Sequence, residues 1–283
     1  MDSYSILVNT CDKFEDCWDP FFKLFKFYWP DCSGKIYLNT EYRIYEYNDL
    51  SVSSIQGCKK HNVPNRKRAT WSQCLRWALE TMETDIILYM QEDYFLNAKV
   101  NNDRLEELVC LMQNDPTIHC IQLTTDSVKP KECSTYDGLL SVDHSYWSTI
   151  SCQASLWRKD ILQKYIRDYE NAWQFEWWGS KRAFKYKDNF YVVSQNLPVS
   201  QGGINNCKLT DCKDIIPYVK TGVIGGRWYR PVVKLFQAHD ILMDYSKRGF
   251  HQEEASCTWI AKQKRRLKQL PVEIRNRIEL LFM

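Results

Sequence analysis

Glu92 and Asp93 are neighbouring carboxylates inside an otherwise apolar run, ILYMQEDYFL (87–96), which continues the strand-like stretch DIILYM (85–90). Carboxylates between apolar walls must be paired, solvated or bound to a cation. A hard divalent ion, Mg²⁺ or Mn²⁺, takes oxygen ligands and borrows the rest of its shell from phosphates and water. Another acidic residue, Glu176, lies in WQFEWWGS (173–180), flanked by Phe175, Trp177 and Trp178. Apolar flanks desolvate a carboxyl and raise its pKa, which suits a general base. The plain alternative is a Glu near a helix start, favoured there by the dipole. Glu170, six residues earlier, is the other acidic residue in reach.

Trp147, Trp157, Trp173, Trp177 and Trp178 fall in the same half of the chain. Aromatic faces stack on sugar rings, so Trp173 and Trp178, with Gln153, are the expected acceptor-binding residues. Core packing is the alternative for each single Trp. GVIGGRWYR (222–230) offers Gly flexibility and Arg227, a cation that would reach a diphosphate from a closing loop. The basic cluster NRKR (65–68) brings Arg68 as a further phosphate contact. His239, in AHD, is a candidate late metal ligand beside Glu92 and Asp93.

These residues need a scaffold. SILVNT (5–10) and GKIYLNTE (34–41) read as strands with polar tips. Between them, Asp19 and Pro20 open a helix that Pro30 closes. A polar stretch, 48–70, precedes a helix over 71–83 with Cys74, Leu75, Ala78 and Met82 on one face. Strand, helix, strand, loop, helix, strand argues for an α/β domain with a mainly parallel sheet. Ligands bind beyond the carboxyl ends of such strands. Thr10, Asp12, Asn39, Ser72, Gln91, Glu92 and Asp93 would then crowd one edge. Further on, 102–115 reads as a helix, 118–125 as a strand and 126–143 as polar turns. Residues 146–157 read as a strand, 158–170 as a helix and 189–195 as a strand. A basic helix (261–270) and a final helix opened by Pro271 end the chain. The organisation expected is one domain over 1–250, with a donor half to about 100 and an acceptor half beyond it, and a helical extension over 251–283.

The chain has 283 residues, a net charge of +3 and 14% aromatic residues. So balanced a charge excludes a nucleic-acid footprint. MDSYSILVNTCDKF has no basic signal region, and no stretch approaches the roughly 20 apolar residues of a membrane span. A cytoplasmic protein with its 12 cysteines reduced is the expectation. No C-x-x-C pair is present, so linear spacing announces no zinc site. The run Lys262–Lys268 with Leu267 and Leu270 is amphipathic; it is either a solvated face or a peripheral contact with an anionic membrane.

The order strand–helix–strand, the helix WSQCLRWALE, the next strand and an acidic pair before an aromatic resemble the GT-A class of nucleotide-sugar-dependent glycosyltransferases. Many of these carry Asp-x-Asp at this point. Here Gln91 replaces the first Asp and Asp93 keeps the second. SCQASLWRKDIL followed by NAWQFEWWGSKR is similar to the acceptor half of bacterial polysaccharide-type glycosyltransferases, with the likeness covering roughly 5–250. The resemblance implies a Rossmann-type GT-A-like fold and transfer from a nucleotide sugar to a saccharide, possibly lipid-linked, acceptor in surface-polysaccharide synthesis. It also implies a divalent cation on Asp93, Glu92 and His239, and inversion with Glu176 as base. Two alternatives stay open. A sugar-1-phosphate nucleotidyltransferase would show a Gly-rich loop after the first strand, and NTCDKFEDCW has no Gly. A non-catalytic saccharide-binding protein would keep the fold without the chemistry. No oligomeric state follows.

Overall fold

The computed structural model describes residues 3–64, 66–125, 127–194, 214–252 and 259–283, with side chains in the last segment from 269 onward. The first third places β1 (Ser5–Asn9), α1 (Trp18–Tyr28), β2 (Lys35–Asn39), β3 (Val52–Ser54), α2 (Gly57–Lys60), α3 (Trp71–Thr81) and β4 (Ile86–Gln91). Then come α4 (Asn102–Asn114), β5 (Cys120–Gln122), β6 (Pro130–Cys133), β7 (Leu139–Val142) and β8 (Ser155–Arg158). The remainder is α5 (Lys159–Tyr165), α6 (Ala172–Tyr186), β9 (Phe190–Val193), the pair β10 (Val223–Ile224) and β11 (Arg227–Trp228), α7 (Val232–Ala238) and α8 (Trp259–Phe282).

A nine-stranded sheet runs β3-β2-β1-β4-β8-β5-β9-β7-β6. Its direction is mostly parallel: only β8 and β7 oppose the others. Period-two alternation sorts β1 between two cores. Ile6 and Val8 pack with Phe21, Phe25 and Leu108 on one face, and Leu7 packs with Leu75, Leu79 and Phe175 on the other. Helices therefore cover both faces, as near-continuous apolar parallel strands require. The chain leaves β1 toward β2 and β3, then returns to β4 on the far side of β1. That reversal creates a crevice at the carboxyl ends of β1 and β4.

Several local expectations change. The helix expected from Asp19 starts at Trp18 after a 3₁₀ turn, and Asp19 instead accepts from the Tyr45 hydroxyl at 2.8 Å. The polar stretch 48–70 contains β3 and α2, and the turns of 126–143 contain the β6–β7 hairpin. Strands of three or four residues are too short to show a clear period, so they read as loop. Only Ser155–Arg158 of the 146–157 stretch is strand. Residue 195, at the end of the expected strand 189–195, and Cys207 and Cys212 lie outside the described residues. Cys133 is disulfide-bonded, which corrects the all-reduced reading; Cys11, Cys17, Cys32, Cys58, Cys74, Cys110, Cys120 and Cys152 are free. Pro271 lies inside α8 rather than opening a separate helix. No helix among the described residues is long and apolar enough to cross a membrane.

The C-terminal helix is docked by charge. Glu170 receives both Arg182 Nη1 (2.9 Å) and Nη2 (2.6 Å), and Nη1 also donates to Asn276 Oδ1 at 2.8 Å. Arg167 pairs with Glu279 at the same interface. Glu170 and Arg182 are fully buried, so Glu170 is a structural anchor and not a rival base. Removing one partner of a buried pair strands the other charge. Glu170→Gln is expected to cost about 3–5 kcal/mol, measured as a lowered urea midpoint at pH 7.

Candidate active site

Parallel register sets Asn9 beside both Asn39 and Gln91, so three strand tips end level. Their side chains bind one another. Asn39 Nδ2 donates to Asn9 Oδ1 at 2.7 Å, and Asn9 Nδ2 and Gln91 Nε2 each donate to the Tyr89 hydroxyl at 3.2 Å. The tips thus form a buried polar strap along the floor of the crevice. The Oδ1 of Asn39 has no partner in the structure.

Immediately beyond, the chain turns, with Tyr94 N donating to Gln91 O at 3.1 Å. Glu92 and Asp93 are only 9% and 8% exposed. Burial pushes the Asp93 carboxyl up to about 6, although the backbone N–H groups of Val223 (3.1 Å) and Gly222 (3.2 Å) donate to its Oδ2 and pull the other way. Burial, and then the Asp93 charge, hold Glu92 well above the usual carboxylate range; Arg248 opposes this. Arg248 is held by Asp16, with Nε at 2.6 Å from Oδ2, donates to Lys13 O at 2.7 Å and lies 4.4 Å from the Phe14 ring centre. Arg248 is a cation whose charge acts on Glu92, and it was not among the residues expected at the site. Its one signal was an Arg before Gly249, which adopts φ +62°. Two buried carboxyls with hard oxygen donors fit a divalent cation, whose charge would offset the burial that raises both.

Glu176 stands in the second turn of α6, whose Asn171 cap and Gln174 form a reciprocal capping box. Its Oε1 accepts from Cys152 N at 2.7 Å, and burial raises its pKa. The carboxyl lines a cleft of about 430 Å³ with Thr124, Ser127, Gln153, Lys220 and three tryptophans. Trp147, Trp173 and Trp177 are 64%, 79% and 47% exposed, large apolar faces of the kind that mark a binding surface. Trp178 is buried instead, because α6 turns it towards the protein, and Trp147 and Trp177 line the cleft in its place. Trp157 is core. Gln153 lines the cleft and accepts from the Tyr218 hydroxyl at 2.7 Å.

The two halves of the site are joined. The Tyr94 hydroxyl donates to Cys152 O at 2.8 Å, so the residue after Asp93 holds the same Cys152 whose N–H binds Glu176. Tyr94 also stacks on Tyr218, ring centres 4.6 Å apart, and the segment continuing from Tyr218 brings Lys220 to the cleft and Gly222 to Asp93.

Other predicted residues go elsewhere. Thr10 Oγ1 accepts from Trp18 Nε1 at 2.9 Å. The Asp12 carboxylate accepts from the backbone N–H groups of Glu41, Tyr42 and Arg43, which makes it a loop staple rather than a donor ligand. Ser72 is fully buried. Arg68 is exposed; burial pushes the Cys11 thiol up to about 11, with the Arg68 charge only a weak opposing influence. Arg227 is exposed on β11. His239 bonds the Tyr28 hydroxyl at 2.7 Å and packs against Phe27. Tyr28 ends the helix that runs back from the crevice, so His239 does not join Glu92 and Asp93. The side chains of Lys262–Lys268 lie outside the described residues.

No family model matches the chain, and no curated protein matches it. Among solved structures the chain is similar to TarS of S. aureus, at 11% identity over 68% of this chain and 35% of that one, with a TM-score of 0.41. It is also similar to glucosyl-3-phosphoglycerate synthase from Mycobacterium tuberculosis in complex with Mn²⁺ and UDP-glucose (10% identity, 69% and 72% covered, TM-score 0.41). A third likeness is to CMP:2-keto-3-deoxy-manno-octonic acid synthetase complexed with CTP (11% identity, 84% and 97% covered, TM-score 0.39). The chain thus spans about a third of the TarS chain that it matches.

Gly222 is the tightest point of the site. A Cβ there would lie 2.2 Å from the Phe95 ring and 2.7 Å from Asp93 O. Gly222→Ala must push 222–223 off the Asp93 carboxylate, at an expected cost of about 1–3 kcal/mol, read as a lowered melting temperature.

Proposed function

We propose that the protein is a glycosyltransferase of the GT-A type, moving a sugar from a nucleotide-sugar donor to a saccharide acceptor. The observation that carries this is the junction of Asp93 and Glu176 through Tyr94 and Cys152. It links the acidic turn to a carboxyl in a tryptophan-walled cleft. Such walls suit sugar faces, while the acidic pair lies at the β1–β4 crevice where open α/β sheets bind nucleotides.

The chemistry follows from these positions. The donor lies over the polar strap with its diphosphate toward Glu92 and Asp93. Glu92 and Asp93 would hold a divalent cation, which would supply charge neutralisation for the leaving group. The acceptor stacks on Trp173 or Trp177 and hydrogen-bonds Gln153. Its hydroxyl oxygen attacks the anomeric carbon, the carbon–oxygen bond to the diphosphate breaks, and the hydroxyl proton passes to Glu176. A single displacement of this kind inverts the anomeric centre. A surface-polysaccharide acceptor, presented at a membrane, completes the reading. Ile274, Ile278 and Leu281 of α8 are exposed at helical spacing and would carry the peripheral contact.

Glu176→Gln is expected to lower kcat about 10²–10⁴-fold while donor binding by thermal shift persists. Undiminished turnover would remove the base assignment, and a wild type that binds no nucleotide sugar, with or without Mn²⁺, would remove the transferase reading. The sign of the pH effect is fixed. A base must be deprotonated, and burial raises the Glu176 pKa, so the acid limb of kcat should fall above the usual carboxylate range. Trp173→Ala should raise the acceptor KM about 2–10-fold with stability unchanged, since one stacking contact is worth about 0.5–1.5 kcal/mol.

A further inference from the structure

The reaction above leaves a second set of donor atoms unused. A carboxylate oxygen of Glu41, Cys58 Sγ and Cys74 Sγ lie within 4.8 Å of one another, the two thiols buried and Glu41 half-buried. They come from three separate segments: the loop after β2, then α2 and α3.

Each segment is pinned. Gly57 N donates to Thr40 O at 2.9 Å, Lys59 N to Glu41 O at 3.1 Å, and Gln56 Nε2 to Tyr42 O at 2.7 Å, so α2 cannot move without the Glu41 loop. Gln56 starts α2 in the left-handed region at φ 53°, a costly conformation for a residue with a Cβ, and it sets the helix turn that carries Cys58. On the other side, the Thr70–Gln73 capping box fixes the start of the helix carrying Cys74. Asp12 N donates to one Glu41 oxygen at 3.2 Å, which orients the carboxylate. Backbone donors commonly orient metal-ligating carboxylates in this way.

We propose that Glu41, Cys58 and Cys74 bind a zinc ion. Two thiols and a carboxylate select a borderline-soft, tetrahedral ion over Mg²⁺ or Mn²⁺. Bonds of about 2.3 Å to sulfur and about 2.0–2.2 Å to oxygen place tetrahedral ligands roughly 3.5–3.8 Å apart, so small side-chain rotations close the set. A zinc ion so held clamps the loop after β2 to α2 and α3. This is independent of the Glu92–Asp93 pair, whose all-oxygen donors suit a harder ion.

The test is metal content by mass spectrometry after chelator treatment, reloading with Zn²⁺ in excess Mg²⁺, and gel filtration. About one zinc per chain is expected in the wild type and in Cys110→Ser, an exposed thiol on α4, and below about 0.1 in Cys58→Ser/Cys74→Ser. Co²⁺ loading should add a near-ultraviolet thiolate-to-cobalt band that the double variant lacks. A readout that needs no variant is the wild-type melting temperature, which should drop on chelation and return with Zn²⁺ but not with Mg²⁺. Any of three results overturns the site: a reloaded wild type without stoichiometric zinc, equal zinc loss in Cys110→Ser, or a Cys58–Cys74 disulfide in freshly purified protein.

Discussion

The peptide of Cys152 is held at both ends, its carbonyl by the Tyr94 hydroxyl and its N–H by the Glu176 carboxylate. Neither contact is local, and both lie in partly or fully buried surroundings where a lost hydrogen bond costs the full desolvation of the group left behind. Everything around the crevice is referred to this peptide. The acidic turn after β4 is fixed through Tyr94, and α6 is fixed through Glu176. The segment from Tyr218 to Val223 is fixed because Tyr218 stacks on Tyr94 and bonds Gln153 and Ala154. A carboxyl that needs a defined position for proton transfer is thereby attached to rigid elements rather than to a loose loop.

The electrostatic cost of this arrangement is concentrated where the ligand is proposed to bind. Glu92 and Asp93 are buried side by side, and Glu176 is desolvated near them. A carboxyl whose folded pKa is raised contributes stability below its unfolded pKa and loses that contribution as pH rises through the folded value. For Asp93 this window runs from about 4 to about 6. Local groups oppose it: two backbone donors on Asp93 and the Arg248 charge acting on Glu92.

Much of the site was legible from side-chain chemistry in short windows. The acidic pair announced itself as polar residues interrupting an apolar run, and Glu176 as a carboxyl among aromatics. Asn9, Asn39 and Gln91 were legible as strand tips because parallel strands end in step. What failed were assignments that depend on which way a side chain points or what a residue meets far along the chain. Trp173 and Trp178 are five residues apart on one helix, and only packing decides that one is exposed and the other buried. Asp12 looked like a ligand and is a staple, since the backbone N–H groups that satisfy it belong to residues 41–43. Arg248, far from Glu92 in sequence, had no local pattern to distinguish it from Arg227. Gly222 likewise showed only as a flexible residue, and its tight approach to Phe95 is a tertiary fact.

By itself, then, the sequence determined the layers, because apolar periodicity dictates which segments bury which faces. It also determined the inventory of reactive groups. The tertiary structure alone decided convergence. The nine-stranded order, the joining of Asp93 to Glu176 and the docking of α8 all depend on contacts between distant residues, and no local spacing encodes them. The thiols show the same division. No C-x-x-C pair marks Cys58 or Cys74, which are 16 positions apart, yet folding brings them together with Glu41. The physical reason is common to these cases: propensity and periodicity act over a few bonds, whereas hydrogen bonds, ion pairs and ligand sets are satisfied by whichever groups packing brings within reach.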